Sequence, residues 1–180
     1  MNEQQENSLV LGLGNPLLGD DRIGLQLVED LAKINSLAGL ARFQCSVQAG
    51  LYLLDLLIGF QQVIFVDSLV HPQEEPGHVK CWQLPETASY IKGSSPHYIG
   101  VHSMLTIGKK LNLRLPEKLW LIGITIKDGL QISEHFSRSI RQKYPQILNQ
   151  VQRQLEEILL RKRNKVKVKE PALPMNSFQN

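Results

Sequence analysis

Apolar residues in this chain alternate between short continuous runs and helical stripes almost from end to end. Ser8 to Gly14 is an apolar run stopped by Gly14-Asn15-Pro16, the profile of a strand buried on both faces that ends in a turn. Ile23, Leu27, Val28 and Leu31 then recur on one helical face, which predicts a helix over 22–34 with Asp20 and Asp21 at its start. Phe43, Cys45 and Val47 alternate with polar neighbours, as a half-buried edge strand would. Leu51 to Ile58 is apolar nearly all round and closes at Gly59, so a short buried helix is expected there. Val63 to Val66 reads as a central parallel strand with Asp67 at its carboxyl end. Further on, Val79 to Leu84 and Leu119 to Ile126 read as strands and Gly100 to Leu111 as a helix. Leu148, Val151, Leu155 and Ile158 mark a terminal amphipathic helix with Pro145 in its first turn.

Parallel strands need crossover connections, so this alternation predicts an α/β fold: a three-layer α/β/α sandwich around a twisted, mainly parallel sheet of about five strands. In such sheets the ligand crevice lies beyond the carboxyl ends of the strands. The segments after Gly14 and after Val66, and the one before Gly100, are therefore expected to meet.

With 180 residues and 42% hydrophobic content, the chain suits one core. The expected domain is 1–160, followed at 161–180 by a basic, solvated tail rich in lysine and ending past Pro171 and Pro174. Residues 1–160 hold 14 basic against 16 acidic side chains, a net of −2, so the body gives no reason to expect a nucleic-acid surface. No apolar stretch approaches the roughly 20 residues of a membrane helix, and the polar, acidic opening is unlike a signal peptide. A cytoplasmic protein with no membrane partner is the expectation. Cys45 and Cys81 lack metal-ligand spacing and read as reduced core residues.

The turn Gly12-Leu13-Gly14-Asn15-Pro16-Leu17 invites a dinucleotide-binding reading, but Leu17 stands where the third glycine belongs, and Val47-Gln48-Ala49-Gly50 offers no acid for a ribose hydroxyl. Asp20 and Asp21 have a plain alternative as helix caps, and Asp67 as a strand end. His97, in Ser95-Pro96-His97-Tyr98, adds an imidazole from a proline-restrained loop. Two carboxylates and one imidazole form a donor set suited to a borderline divalent ion such as nickel or zinc. His102 reads as a surface residue or a neighbour of the site, and His71, His78 and His135 as solvated, without acidic partners close in sequence. No G-x-S-x-G elbow, H-E-x-x-H motif or D-[ST]-G turn is present, so the familiar protease signatures are missing.

Leu11-Gly12-Leu13-Gly14-Asn15-Pro16-Leu17-Leu18-Gly19-Asp20-Asp21-Arg22-Ile23-Gly24 nevertheless resembles the opening motif of the hydrogenase maturation endopeptidases. Val63 to Ser68 and Ser95 to Gly100 resemble their two later motifs, in the same order, and the similarity spans roughly residues 8–160. The resemblance implies that Asp21, Asp67 and His97 are the nickel ligands and catalytic residues. It implies an endopeptidase that removes the carboxyl-terminal extension of the large-subunit precursor of a nickel-iron hydrogenase once nickel is installed. Nickel would then be recognised in the substrate's centre rather than held permanently. Whether the metal polarises the scissile carbonyl or a carboxylate activates water stays open at this stage. The chain departs from many relatives at Gln48-Ala49-Gly50, where an Asp-Gly-Gly type turn is common, and in its basic tail.

Two other functions fit parts of this pattern. A peptidyl-tRNA hydrolase also opens with a G-L-G-N-P-like turn, but it would want a histidine soon after, and residues 17–30 contain none. A non-proteolytic assembly protein that inspects the nickel centre would keep the same ligands without cutting. The core pattern ends near Leu160, so removing residues 164–180 should leave the fold intact. A cooperative thermal transition close to that of the full chain is expected, and an insoluble or unfolded truncated protein would refute the boundary.

Overall fold

The computed structural model describes residues 7–84 and 101–165, with the side chains at 101–102 and 161–165 outside that description. Five strands, β1 (Ser8–Leu13), β2 (Arg42–Ser46), β3 (Gln62–Val70), β4 (Val79–Leu84) and β5 (Lys118–Ile126), form one sheet in the order β2-β1-β3-β5-β4. All neighbours are parallel except β4, which runs antiparallel to β5 at one edge. The helices are α1 (Ile23–Leu31), α2 (Leu54–Leu57), α3 (Val101–Lys110) and α4 (Arg138–Lys165).

The two faces of the sheet are sorted by the period-two alternation of its central strands. Val10, Ile64, Val66, Ile122 and Ile124 pack with α1 and α4 in one core. Leu9, Leu11, Val63, Phe65 and Leu121 pack with α2 and α3 in another. The expected sandwich is thus present, with its layers in place. β2 is an edge strand as anticipated, although it stops at Ser46 and leaves Val47 exposed.

Three local expectations fail for identifiable reasons. Asp67 does not end its strand: β3 runs on through Val70 because β5 continues beside it to Ile126. What ends near Asp67 is β1, whose pairing with β3 stops at Gly12 opposite Val66. Leu51 to Ile58 is a 3-10 turn, Gly50–Leu53, leading into the single turn of α2, with Leu53, Leu54 and Leu57 buried but Leu51, Tyr52 and Ile58 exposed. Pro145 lies inside α4, which starts seven residues earlier behind Ser137. Ser137 Oγ accepts from Ile140 N at 3.4 Å, and Ser137 O from Arg141 N at 2.9 Å, which is a serine N-cap. Pro145 therefore removes one interior backbone bond, on the helix's exposed side. The backbone of α4 also continues to Lys165, five residues into the stretch expected as tail, while residues 166–180 lie outside the described residues.

The seating of α1 fixes everything near the site. A methyl group on Gly24 would lie 2.3 Å from both Leu13 O and Val66 O, and one on Gly12 would lie 2.5 Å from Gly24 O. The helix backbone thus touches the carboxyl end of β1 and the middle of β3 directly. Gly24→Ala gains about 1 kcal/mol of helix propensity, but the new methyl meets two backbone oxygens that cannot rotate away. Overpacking should win, with a net loss of about 3 kcal/mol in urea unfolding; unchanged stability would contradict this seating.

Candidate active site

In the order β2-β1-β3, connections leave β1 in one direction and reach β3 from the other, so the sheet changes winding between these two strands. Loops at such a switch point diverge and open a crevice. Asp21 arrives there from the turn after β1, and Asp67 from β3 itself.

Asp21 sits in a single 3-10 turn, Gly19–Arg22, just ahead of α1, and is 1% exposed. Its Oδ2 accepts from Asn15 N at 2.9 Å and its Oδ1 from Ser68 Oγ at 2.6 Å. The sharp return from β1 to Asp21 requires Gly14, whose φ is 151° and whose added methyl would lie 2.3 Å from Asp21 O. Asn15 tightens the same turn, its side-chain oxygen accepting from Leu17 N at 3.0 Å. Asp67 is fully buried, and its Oδ1 accepts from Ser68 N at 2.8 Å. Ser68 therefore binds both carboxylates, one through its amide and the other through its hydroxyl.

The two neighbouring acids have separate jobs. The cap positions of the turn and of α1 fall on Leu18 and Arg22, not on either acid. Asp20 Oδ1 instead accepts from Ser137 N at 2.7 Å, tying the turn to the start of α4. Arg22 donates to Glu134 O and stacks its guanidinium 5.9 Å from the centre of the Phe136 ring, so it too serves the scaffold. The residue following Asp67 is the one that sequence reasoning passed over as a site component. Its signal was its place in Val63 to Ser68, directly after the acid.

His97, the third expected residue, lies outside the described residues, as does the side chain of His102. Among the described residues no group of three or more His, Cys, Asp or Glu side chains forms a metal cage. His78 and His135 are exposed. His71 differs from expectation: its Nε2 lies 3.3 Å from Glu74 Oε1, three residues on, and the ring is partly buried beside an ion pair between Glu74 and Lys80. Cys45 and Cys81 form no disulfide. Burial, helped by the Glu29 charge, pushes the Cys45 thiol up to about 11, and its Sγ faces Leu25 O at 3.4 Å, so it is no ready nucleophile. No described helix is long and apolar enough to cross a membrane.

A doubly wound sheet with two buried carboxylates joined through Ser68 at its switch point defines an α/β protein with an acidic crevice between β1 and β3. No family model matches the chain. It is 31% identical over 117 residues to the hydrogenase 2 maturation protease of Escherichia coli strain K12, a match covering 64% of this chain and 71% of that one. A solution structure of an endopeptidase from Escherichia coli superposes with a TM-score of 0.66 at 26% identity, covering 84% of this chain and 93% of the other. The hydrogenase maturating endopeptidase HybD from E. coli gives 0.61 at 25% identity, with the same coverage. The chain belongs to the hydrogenase maturation protease family and is a peptide hydrolase.

Ser68→Ala removes the hydroxyl that serves Asp21 while leaving the amide that serves Asp67. A hydrogen bond to a charged group contributes about 1.5–3 kcal/mol, so urea unfolding should show a loss of about 2 kcal/mol. Ser68→Thr should restore most of it, and equal stability of Ser68→Ala and the parent would mean that the bond is not made.

Proposed function

We propose that this chain cuts the carboxyl-terminal extension from the large-subunit precursor of a nickel-iron hydrogenase after nickel insertion, with Asp21, Asp67 and His97 as its site. The observation that carries the reading is Ser68 joining two buried carboxylates at the switch point of the sheet. Burying two such acids is costly, and a core with no chemistry to perform would have little reason to keep them. The family resemblance at Ser95 to Gly100 supports His97 as the third member.

On this reading nickel is part of the substrate. Two carboxylates and one imidazole hold a divalent ion weakly alone, but they add ligands to a centre already gripped by substrate thiolates. Asn15 N–H and Ser68 O–H each engage one oxygen of Asp21, which fixes the plane of its carboxylate toward the crevice. The chemistry is then aspartyl-type, carried by carboxylates. The setting proposed is the cytoplasm.

Asp21→Asn is the sharpest test. Its amide oxygen can still accept from Asn15 N, and its NH2 can donate to Ser68 Oγ if that hydroxyl turns, so the fold is retained while the charge is lost. Processing of nickel-loaded precursor by Asp21→Asn, Asp67→Asn and His97→Ala should fall about a thousandfold, read as the shortened product on a gel. Wild-type rates in any of the three would remove that residue from the site. A nickel-free precursor should resist the parent protein at every concentration, and its efficient cleavage would overturn the role of nickel.

A further inference from the structure

Beside the buried acids, the surface carries bulky apolar side chains that the core does not use. Leu17, Leu130 and Ile132 are 60%, 75% and 86% exposed, on the two loops that leave β1 and β5 at the carboxyl end of the sheet. Single exposed apolar residues are ordinary. Three on adjoining loops next to a catalytic crevice are the kind of cluster that marks a contact surface.

Their outward position is built. Ser133 N donates to Leu17 O at 3.0 Å and Gly19 N to Ser133 O at 2.9 Å, so the loops are strapped together, with Leu18 and Ser133 forming one parallel rung. Leu130 N donates to Asp128 Oδ1 at 2.8 Å, which fixes how the segment leaves β5. Leu130 and Ile132 are two apart and Leu17 is bonded through its carbonyl to the residue after Ile132. A methyl on Gly129 would lie 3.9 Å from Asp21 Oδ1, so the segment bearing Leu130 starts at the acid itself.

The geometry points to Leu17, Leu130 and Ile132 as an apolar subsite that receives a bulky apolar side chain of the polypeptide substrate within a residue or two of the bond to be cut. This rests on the proteolytic reading above. The occupant follows from continuity with the site: an extended chain advances about 3.3 Å per residue, so a residue next to a bond held at Asp21 meets this wall. The charges flanking the wall are of mixed sign, Lys127 and Arg22 beside Asp128 and Glu134, so neither sign of side chain is singled out for attraction there.

The test compares the parent with Leu130→Ser, Ile132→Ser and the double variant in cleavage and in binding of nickel-loaded precursor. Both substitutions are at exposed positions, and circular dichroism checks the fold. Each single variant should raise KM and weaken binding about tenfold, the double variant more, with kcat within about twofold, since one buried apolar side chain carries that much affinity. Ile132→Val should keep most of the parental KM. Unchanged KM and affinity in the double variant would overturn the subsite. So would loss of self-association in that variant with KM intact, which would make the wall a contact between copies of this chain. If the parent binds precursor without cutting it and the variants still bind more weakly, the subsite stands and the proteolytic reading fails.

Discussion

The site depends on how closely α1 approaches the sheet. Gly24 and Gly12 let the helix backbone rest on the end of β1 and the middle of β3, where a side chain on Gly24 would collide with Leu13 O and Val66 O and one on Gly12 with Gly24 O. That approach sets where the preceding turn can go, and the turn carries Asp21. With Asp21 in place, Ser68 on β3 can reach it at 2.6 Å while its amide serves Asp67. A helix standing an ångström further out would leave the same residues in sequence and no pair of linked carboxylates in space.

The cost of that pair is borne by backbone and scaffold bonds. Asn15 N holds one oxygen of Asp21, and Asp20 fastens the other end of the turn to Ser137 at the start of α4. Adjacent acids thus divide the work, one turned inward to the crevice and one turned to the neighbouring helix. On the far side of α1, Tyr144 of α4 donates to Asp30 Oδ2 at 2.8 Å. Burial raises the Asp30 carboxyl, but bonds from Lys33, Tyr144 and Gln26 outweigh that and hold it below its ordinary range. Helices α1 and α4 are therefore clamped by polar contacts at both ends of a shared apolar core, and the turn between β1 and α1 has little freedom left.

Much of this was legible in the sequence, and the parts that were not have a common cause. The runs at Ser8 to Gly14 and Val63 to Val66 announced buried parallel strands because residues buried on both faces are apolar without interruption. Asp67 broke that run, so the strand was expected to end there, yet β5 keeps pairing with β3 for three further residues. Tertiary pairing overrode a local signal. The same is true of Pro145, which reads as a first-turn residue until Ser137 is seen to cap the helix. The division between Asp20 and Asp21 has no local signature at all, since it is decided by Ser137 and Ser68, over a hundred and nearly fifty residues away respectively. His71 is simpler: Glu74 lies only three residues on, close enough for the intervening turn to bring ring and carboxylate together.

A site of this design separates two tasks that a protease must perform. On the proposed reading, the buried acids, linked and small in reach, judge a metal centre and do not read a sequence. Reading falls to whatever surrounds them, and the residues around them lie on loops whose backbones are strapped at Leu17, Gly19 and Ser133 while their side chains face outward. Rigid loops bearing exposed apolar groups lose little entropy when a chain docks on them. On the proposed reading, a precursor would be held by its polypeptide on this wall and admitted to chemistry by its nickel, so affinity and licence would come from different parts of one substrate. Such a division lets the carboxylates stay weak toward free metal without weakening the grip on the precursor, because the grip is not theirs to supply.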